Sequence, residues 1–292
     1  MKYAPFLLSL AAIVGIAGCS EHPANAGEIA VPVSSASPAS PSPSVTPAVL
    51  NSNEMRNGDF RVVLGADDIK AFRVGDGKEI FSIKEAAAAR FRSAYPEQFL
   101  GGKAAFEQAE LTYSAVSLAG PYLFLKEAAA ISPQTSTTEK YYAVDLRDPA
   151  KRLVLTDLIA ENTVAAGLLA NGEVKAFLEQ KESEPASLTD ILKHLNKNAG
   201  EAREMPGMTL ANCWFPTDIL SSFAIKTGID SKAVVELGVP CSSGMRDSEL
   251  YPLVLEINES STAVSGVPAV NAPAGLQEVT VTLRGGNNTV KK

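Results

Sequence analysis

Cysteine and histidine are the side chains that most often bind metals or attack carbonyl carbons, and both are scarce in this 292-residue chain. There are three Cys (Cys19, Cys213 and Cys241) and two His (His22 and His194). Four thiolates for a zinc site cannot be assembled from them, nor can a ligand set rich in imidazole. The sequence holds no G-x-S-x-G elbow, no H-E-x-x-H pair and no Gly-rich phosphate loop. The Gly pairs at 101–102 and 285–286 read as loops. The 33 acidic residues could bring two carboxylates together as glycosidases do, but that many acids also meet by chance. The expectation is a chain with no catalytic residues, no cofactor and no metal ligands. An envelope hydrolase working through carboxylates is one alternative, and a structural or assembly lipoprotein is the other.

The first residues concern location. Met1-Lys2-Tyr3 is a short positive region, and residues 6–17, FLLSLAAIVGIA, are almost wholly apolar. Twelve residues are too few to cross a bilayer as a helix, which takes roughly 20. Length and flanks fit the apolar core of a secretory signal. Ile16-Ala17-Gly18-Cys19 then resembles the lipobox of bacterial lipoproteins. That resemblance implies a signal peptide over 1–18 and a lipid on the Cys19 thiol, which becomes the first residue of the mature chain. Its membrane partner would be reached through that lipid. Ser20, rather than Asp, follows Cys19. In a Gram-negative cell this implies the periplasmic face of the outer membrane.

Residues 19–51 read as the lipidated Cys and a tether. Between 20 and 50 stand six Pro and seven Ser, with no Lys or Arg and only Glu21 and Glu28 acidic. Such a stretch buries too little apolar surface to offset its ordering entropy. At the polyproline rise it would reach on the order of 90 Å when fully extended. His22 lies in it, which leaves His194 as the imidazole of the folded part. His194 falls off the apolar stripe of its predicted helix and reads as a surface residue.

Residues 52–292 remain as the folded part, with a division near 160–200 left open. Its two cysteines, Cys213 and Cys241, would meet an oxidising compartment and pair as a disulfide. Closing a loop of about 29 residues stabilises by roughly 3 kcal/mol on the chain-entropy account. A reactive thiol beside Asn212 is the rival reading, without a His nearby in sequence to serve as its base. Trp214-Phe215 directly follows Cys213. Trp214 is either core packing against the disulfide or an aromatic anchor for a partner. Met205, Met208 and Met245 flank the region as gap fillers.

Periodicity supplies the elements that would carry these residues. Phe60–Leu64 reads as a strand. Ser82-Ile83-Lys84-Glu85 fits a capping box ahead of a helix that Pro96 ends. Strands follow at 111–117, 122–126 and 141–146, with a turn at Arg147-Asp148-Pro149 and a short strand at 152–155. Helical spacing covers 164–178, and Ser187 begins another helix whose stripe is Leu188, Ile191, Leu192 and Leu195. Strands return at 222–225, 233–239, 253–257 and 279–283. Helices fall between groups of strands, which indicates an α+β fold with a mixed or antiparallel sheet.

The segment Glu139–Asp148 followed by Arg152–Ile159 resembles part of the RsiV-like family of extracellular domains, found in lysozyme-sensing anti-sigma factors and beside peptidoglycan deacetylases. The matching positions are Tyr142, Asp145, Leu146, Leu153, Leu155, Asp157 and Leu158. Pro149-Ala150-Lys151 stands where the family has a Gly-Lys turn. Thr156 or Asp157 would cap the helix that follows. The resemblance implies a non-catalytic domain that binds a protein, lysozyme-like, or a cell-wall component such as peptidoglycan. It carries over no binding residues. Trp214 and Tyr141 are the aromatics from which a binding surface would be built. Removal of Lys2 with the signal leaves 25 basic against 33 acidic residues, a net charge of -8. That charge favours a cationic partner such as lysozyme and argues against nucleic acid.

Overall fold

The computed structural model describes residues 53–94, 108–132, 137–178, 187–201, 209–227, 233–242, 248–255, 270–273 and 277–284. The signal, the tether and Met205, Met208 and Met245 lie outside them. Every described residue belongs to the compact unit Ala48–Lys292. The fold is α+β and rich in sheet, with antiparallel and mixed pairing.

The described chain begins with a four-stranded antiparallel meander: β1 (Glu54–Asn57), β2 (Phe60–Leu64), β3 (Ile69–Arg73) and β4 (Glu79–Ser82). Gly58 opens the two-residue β1–β2 loop at φ 55°, a conformation a side chain would strain. α1 (Ile83–Ala94) follows without a break. Ser82 Oγ accepts the Glu85 N–H at 3.2 Å, which is the capping bond expected of it. The reciprocal acceptor comes from another loop. Asp68 Oδ1 takes the Lys84 N–H at 3.1 Å, and Asp68 Oδ2 accepts the Ser82 hydroxyl at 2.7 Å.

A larger sheet holds β5 (Gln108–Ala119), β6 (Tyr122–Ser132), β7 (Thr137–Asp145), β8 (Phe223–Thr227), β9 (Ala233–Ser242), β10 (Ser248–Leu255), β11 (Val270–Asn271) and β12 (Glu278–Arg284). Its order is β11-β5-β6-β7-β10-β9-β8, and β12 pairs with β5 on the stretch Gln108–Ser114. β7 and β10 run parallel, and the other pairs are antiparallel.

Both faces of β5–β7 are covered, so successive residues point into two different cores. Leu123, Leu125, Val144 and Leu146 pack with Tyr113, α1 and the meander. Phe124, Tyr141 and Ala143 pack the opposite way, with β8, β9 and the helices α2 (Glu161–Ala170), α3 (Gly172–Leu178) and α4 (Leu188–Glu201). These helices contribute Val164, Leu168, Phe177, Leu188, Ile191 and Leu195 to the same core as the strands. Ser187 caps α4 by accepting the Asp190 N–H at 3.1 Å. Asn171 caps α3 through Oδ1 and donates from Nδ2 to the Val254 carbonyl of β10.

The sheet curls, so that β8 crosses back over β5. Register shifts between Ala115 and Ser117, and the Ser117 hydroxyl donates to the Ile225 carbonyl. Thr227 Oγ1 donates to the Val270 carbonyl at 3.1 Å. Ser222 Oγ accepts from Tyr141 N at 3.1 Å and donates to the Gly238 carbonyl at 3.0 Å.

Two expected features differ. Residues 152–155 are not a strand. Leu153 and Leu155 are buried as a strand would bury them, but Asp157 Oδ2 accepts the Val154 N–H at 3.1 Å, and Leu155–Asp157 closes into a 3-10 turn. Asp157 is therefore used up on that turn. α2 starts later, at Glu161, with Ala160 before it and no side-chain cap.

Candidate functional site

Trp214 and Tyr141 lie in unlike settings. The 3-10 turn Thr209–Asn212 leads into Cys213, which is bonded to Cys241 and forms an antiparallel bridge with it. With each sulfur bonded to the other, neither cysteine offers a free thiol. Trp214 N–H donates to the Pro240 carbonyl at 3.0 Å, and Phe215 N–H donates to Asn196 Oδ1 at 3.3 Å. Cys213 and Phe215 on either side are buried, at 3% and 2% exposure, while Trp214 is 40% exposed. Burial alternates along an irregular segment pinned at three successive residues, so the indole stands outward on a fixed backbone. Of the two readings open in the sequence, core packing does not describe it.

Tyr141 is 4% exposed. Its hydroxyl donates to Glu236 Oε2 at 2.6 Å and accepts from Lys226 Nζ at 3.1 Å. Lys226 also pairs with Glu236 at 2.6 Å. Burial raises the Tyr141 pKa, and the Glu236 carboxylate raises it further, so the phenol stays protonated. Tyr141 belongs to the wall of an open cleft of about 400 Å3 on the curled side of the sheet. Lys126 stands between Ser114 and Tyr141 in the register of β5, β6 and β7, and these three polar residues form one wall. Lys226 of β8 faces them, with Val116 and Pro273 among the apolar lining. Lys126 pairs with Glu139 at 2.8 Å, and Glu139 Oε2 accepts the Leu250 N–H at 3.1 Å. Among the described residues that line the cleft, none is acidic.

The other face of the sheet holds a polar cluster that the sequence reading missed. Glu127 is 3% exposed, accepts from Tyr113 Oη at 2.5 Å and from Arg90 of α1, and pairs with Lys140 at 3.3 Å. The Arg90 guanidinium lies 4.1 Å from the centre of the Tyr142 ring. Burial alone would raise the Glu127 pKa; the Arg90 charge, then Lys140 and the Tyr113 hydroxyl, outweigh it and hold it below the usual carboxylate range. A signal was present: Glu127 falls in phase with Leu123 and Leu125, the apolar phase of β6.

Other candidate positions hold the fold. Asp145 accepts from Arg147 N, Nε and Nη2, and Arg147 also donates to Tyr122 Oη. Leu146, Leu153 and Leu155 are buried, and Asp157 closes its turn. His194 Nδ1 lies 2.7 Å from the Asp190 carbonyl within α4.

Among the described residues no group of three or more His, Cys, Asp or Glu side chains could hold a metal ion, and no helix is long and apolar enough to cross a membrane. A bonded cysteine pair is compatible with a secreted or envelope protein. Comparison of the chain with protein-family profiles, with curated proteins and with solved structures returns no match.

Proposed function

We propose that this is a lipid-anchored cell-envelope protein whose α+β unit is a non-catalytic binding domain for a protein or a cell-wall ligand. Trp214 carries this reading. It is the chain's one tryptophan, 40% exposed, on a backbone fixed by the disulfide and by two hydrogen bonds. An exposed indole on a fixed backbone has only two side-chain torsions to order on binding and brings a large contact area, which is why such residues dominate interface energies. The lipobox-like residues ending at Cys19 and the Pro- and Ser-rich stretch after it support the anchor and tether. The net charge of -8 and the resemblance to the RsiV-like family favour a cationic, lysozyme-like partner.

Capture of lysozyme by the immobilised chain, measured across a salt series, tests this. The reading expects a complex that weakens as salt rises, because rim charges are screened. Release of soluble muropeptides from peptidoglycan by the purified protein would replace this reading with a hydrolase.

A further inference from the structure

We propose that the cleft between β5–β7 and β8 is a second binding site, specific for an anionic group carried on a small apolar stem. It stands apart from Trp214 and does not depend on the lysozyme reading. The chemistry of the cleft is set by which groups face it and which stand behind it. Lys126 and Lys226 line it; their carboxylate partners Glu139 and Glu236 do not. Both acids are the more buried member of their pair: side-chain exposure is 22% for Glu139 against 38% for Lys126, and 13% for Glu236 against 35% for Lys226. Each acid also has a second donor, the Leu250 N–H for Glu139 and the Tyr141 hydroxyl for Glu236. The acids are thus held back in the wall, and the ammonium groups are presented forward.

An ammonium carries three N–H donors. Among the described residues Lys126 spends one, on Glu139, and Lys226 spends two, on Glu236 and Tyr141. Donors therefore remain on both sides of the cleft, with the Ser114 hydroxyl opposite Lys126. Because the two ion pairs are neutral overall, recognition comes from short-range hydrogen bonds in which donor and acceptor are both ionised, stronger than those the same ammonium groups make to a neutral acceptor. Val116 and Pro273 offer an apolar surface to the rest of the ligand. A volume near 400 Å3 sits at the lower end of the range for small-molecule sites and admits an acyl amino acid or a compact phosphate ester. A carboxylate and a phosphoryl group share this chemistry, and the two are separated by probe.

The test is calorimetric titration of the detergent-solubilised full chain with three probes: N-acetylalanine, inorganic phosphate and the neutral N-acetylalanine amide. Millimolar or tighter binding of N-acetylalanine without binding of the amide supports a carboxylate ligand. Binding of phosphate alone supports a phosphoryl ligand. Lys126→Met/Glu139→Gln, which removes the ammonium without stranding its carboxylate, then lowers the affinity of whichever anion binds by about tenfold, the worth of one charge-assisted bond. Lys226→Met alone would strand Glu236, so Lys226→Met/Glu236→Gln is measured beside it and shows a similar loss. No binding of either anion, equal binding of the amide, or unchanged affinity in both variants overturns the proposal.

Discussion

Two single side chains stand in opposite environments in this protein, one exposed and one buried. Trp214 points outward from an irregular segment, while Glu127 is 3% exposed beneath α1. Glu127 of β6 is the hub of a network that ties α1 to three strands, with Arg90 from the helix, Tyr113 from β5, and Lys140 and Tyr142 from β7. A buried carboxylate is costly unless all its oxygens are satisfied, and here both are. Glu127→Gln removes the charge and leaves Arg90 and Lys140 without their anion. The expected loss is about 2 kcal/mol, discounted because Arg90 and Lys140 are partly exposed. The sign of the pH dependence follows from the lowered pKa. Stability from Glu127 is fully present above the unfolded carboxyl pKa of about 4.3, and it is lost as pH falls through the lower folded value. Urea denaturation at neutral and acid pH reads this: the wild type loses stability toward low pH, and the Gln variant loses less. Equal acid slopes in the two proteins would contradict the assignment.

Elements are held in place by contacts too close for substitution. A Cβ added at Gly238 of β9 would lie 2.5 Å from Ser222 Oγ, 2.9 Å from Leu250 Cδ1 and 3.0 Å from Tyr141 Cδ2. Ser222 cannot retreat freely, because its hydroxyl joins Tyr141 N to the Gly238 carbonyl. Gly238→Ala is therefore expected to cost about 1–3 kcal/mol, visible as a lowered thermal midpoint; an unchanged midpoint would mean that β8 is not packed so tightly. Serine at both Cys213 and Cys241 opens the loop and costs about 3 kcal/mol. The native, unreduced protein should then show no titratable thiol at these two positions after denaturation, and two free thiols would contradict the bridge. Much of this level was legible in the sequence. The Ser82 cap, the Ser187 helix start and the alternation of Val279 and Val281 all appear in the fold. β1, β3, β4 and β11 were not legible. Stretches such as EMRN and EIFS are four residues long and mixed in polarity, and the meander's pairing stabilises them, not their own pattern. Leu153 and Leu155 alternate like a strand, but a local side-chain bond to Asp157 claims the backbone first. Trp214 was legible as a candidate but not as exposed, because its neighbours Cys213 and Phe215 are the buried ones.

At the scale of the whole molecule, the proposed lipid on Cys19 would anchor a folded unit that presents Trp214 at its surface. Cys19→Ala removes the thiol that would take the lipid. The expected outcome is loss of labelling by radioactive palmitate and a shift of the protein from the membrane fraction to the soluble fraction. Retention in the membrane fraction without label would remove the anchor from the account. The binding claim is tested most directly by the affinity of the full chain for lysozyme, measured side by side for wild type and Trp214→Ala. Trp214 is 40% exposed, so its truncation costs less than a core substitution, and the unfolding midpoint measured beside the affinity separates a folding defect from a loss of binding. The account predicts saturable binding by the wild type and at least a tenfold weaker complex in the variant, the loss of about 1.4 kcal/mol or more that an interface anchor produces. Equal affinity in the two proteins would contradict it.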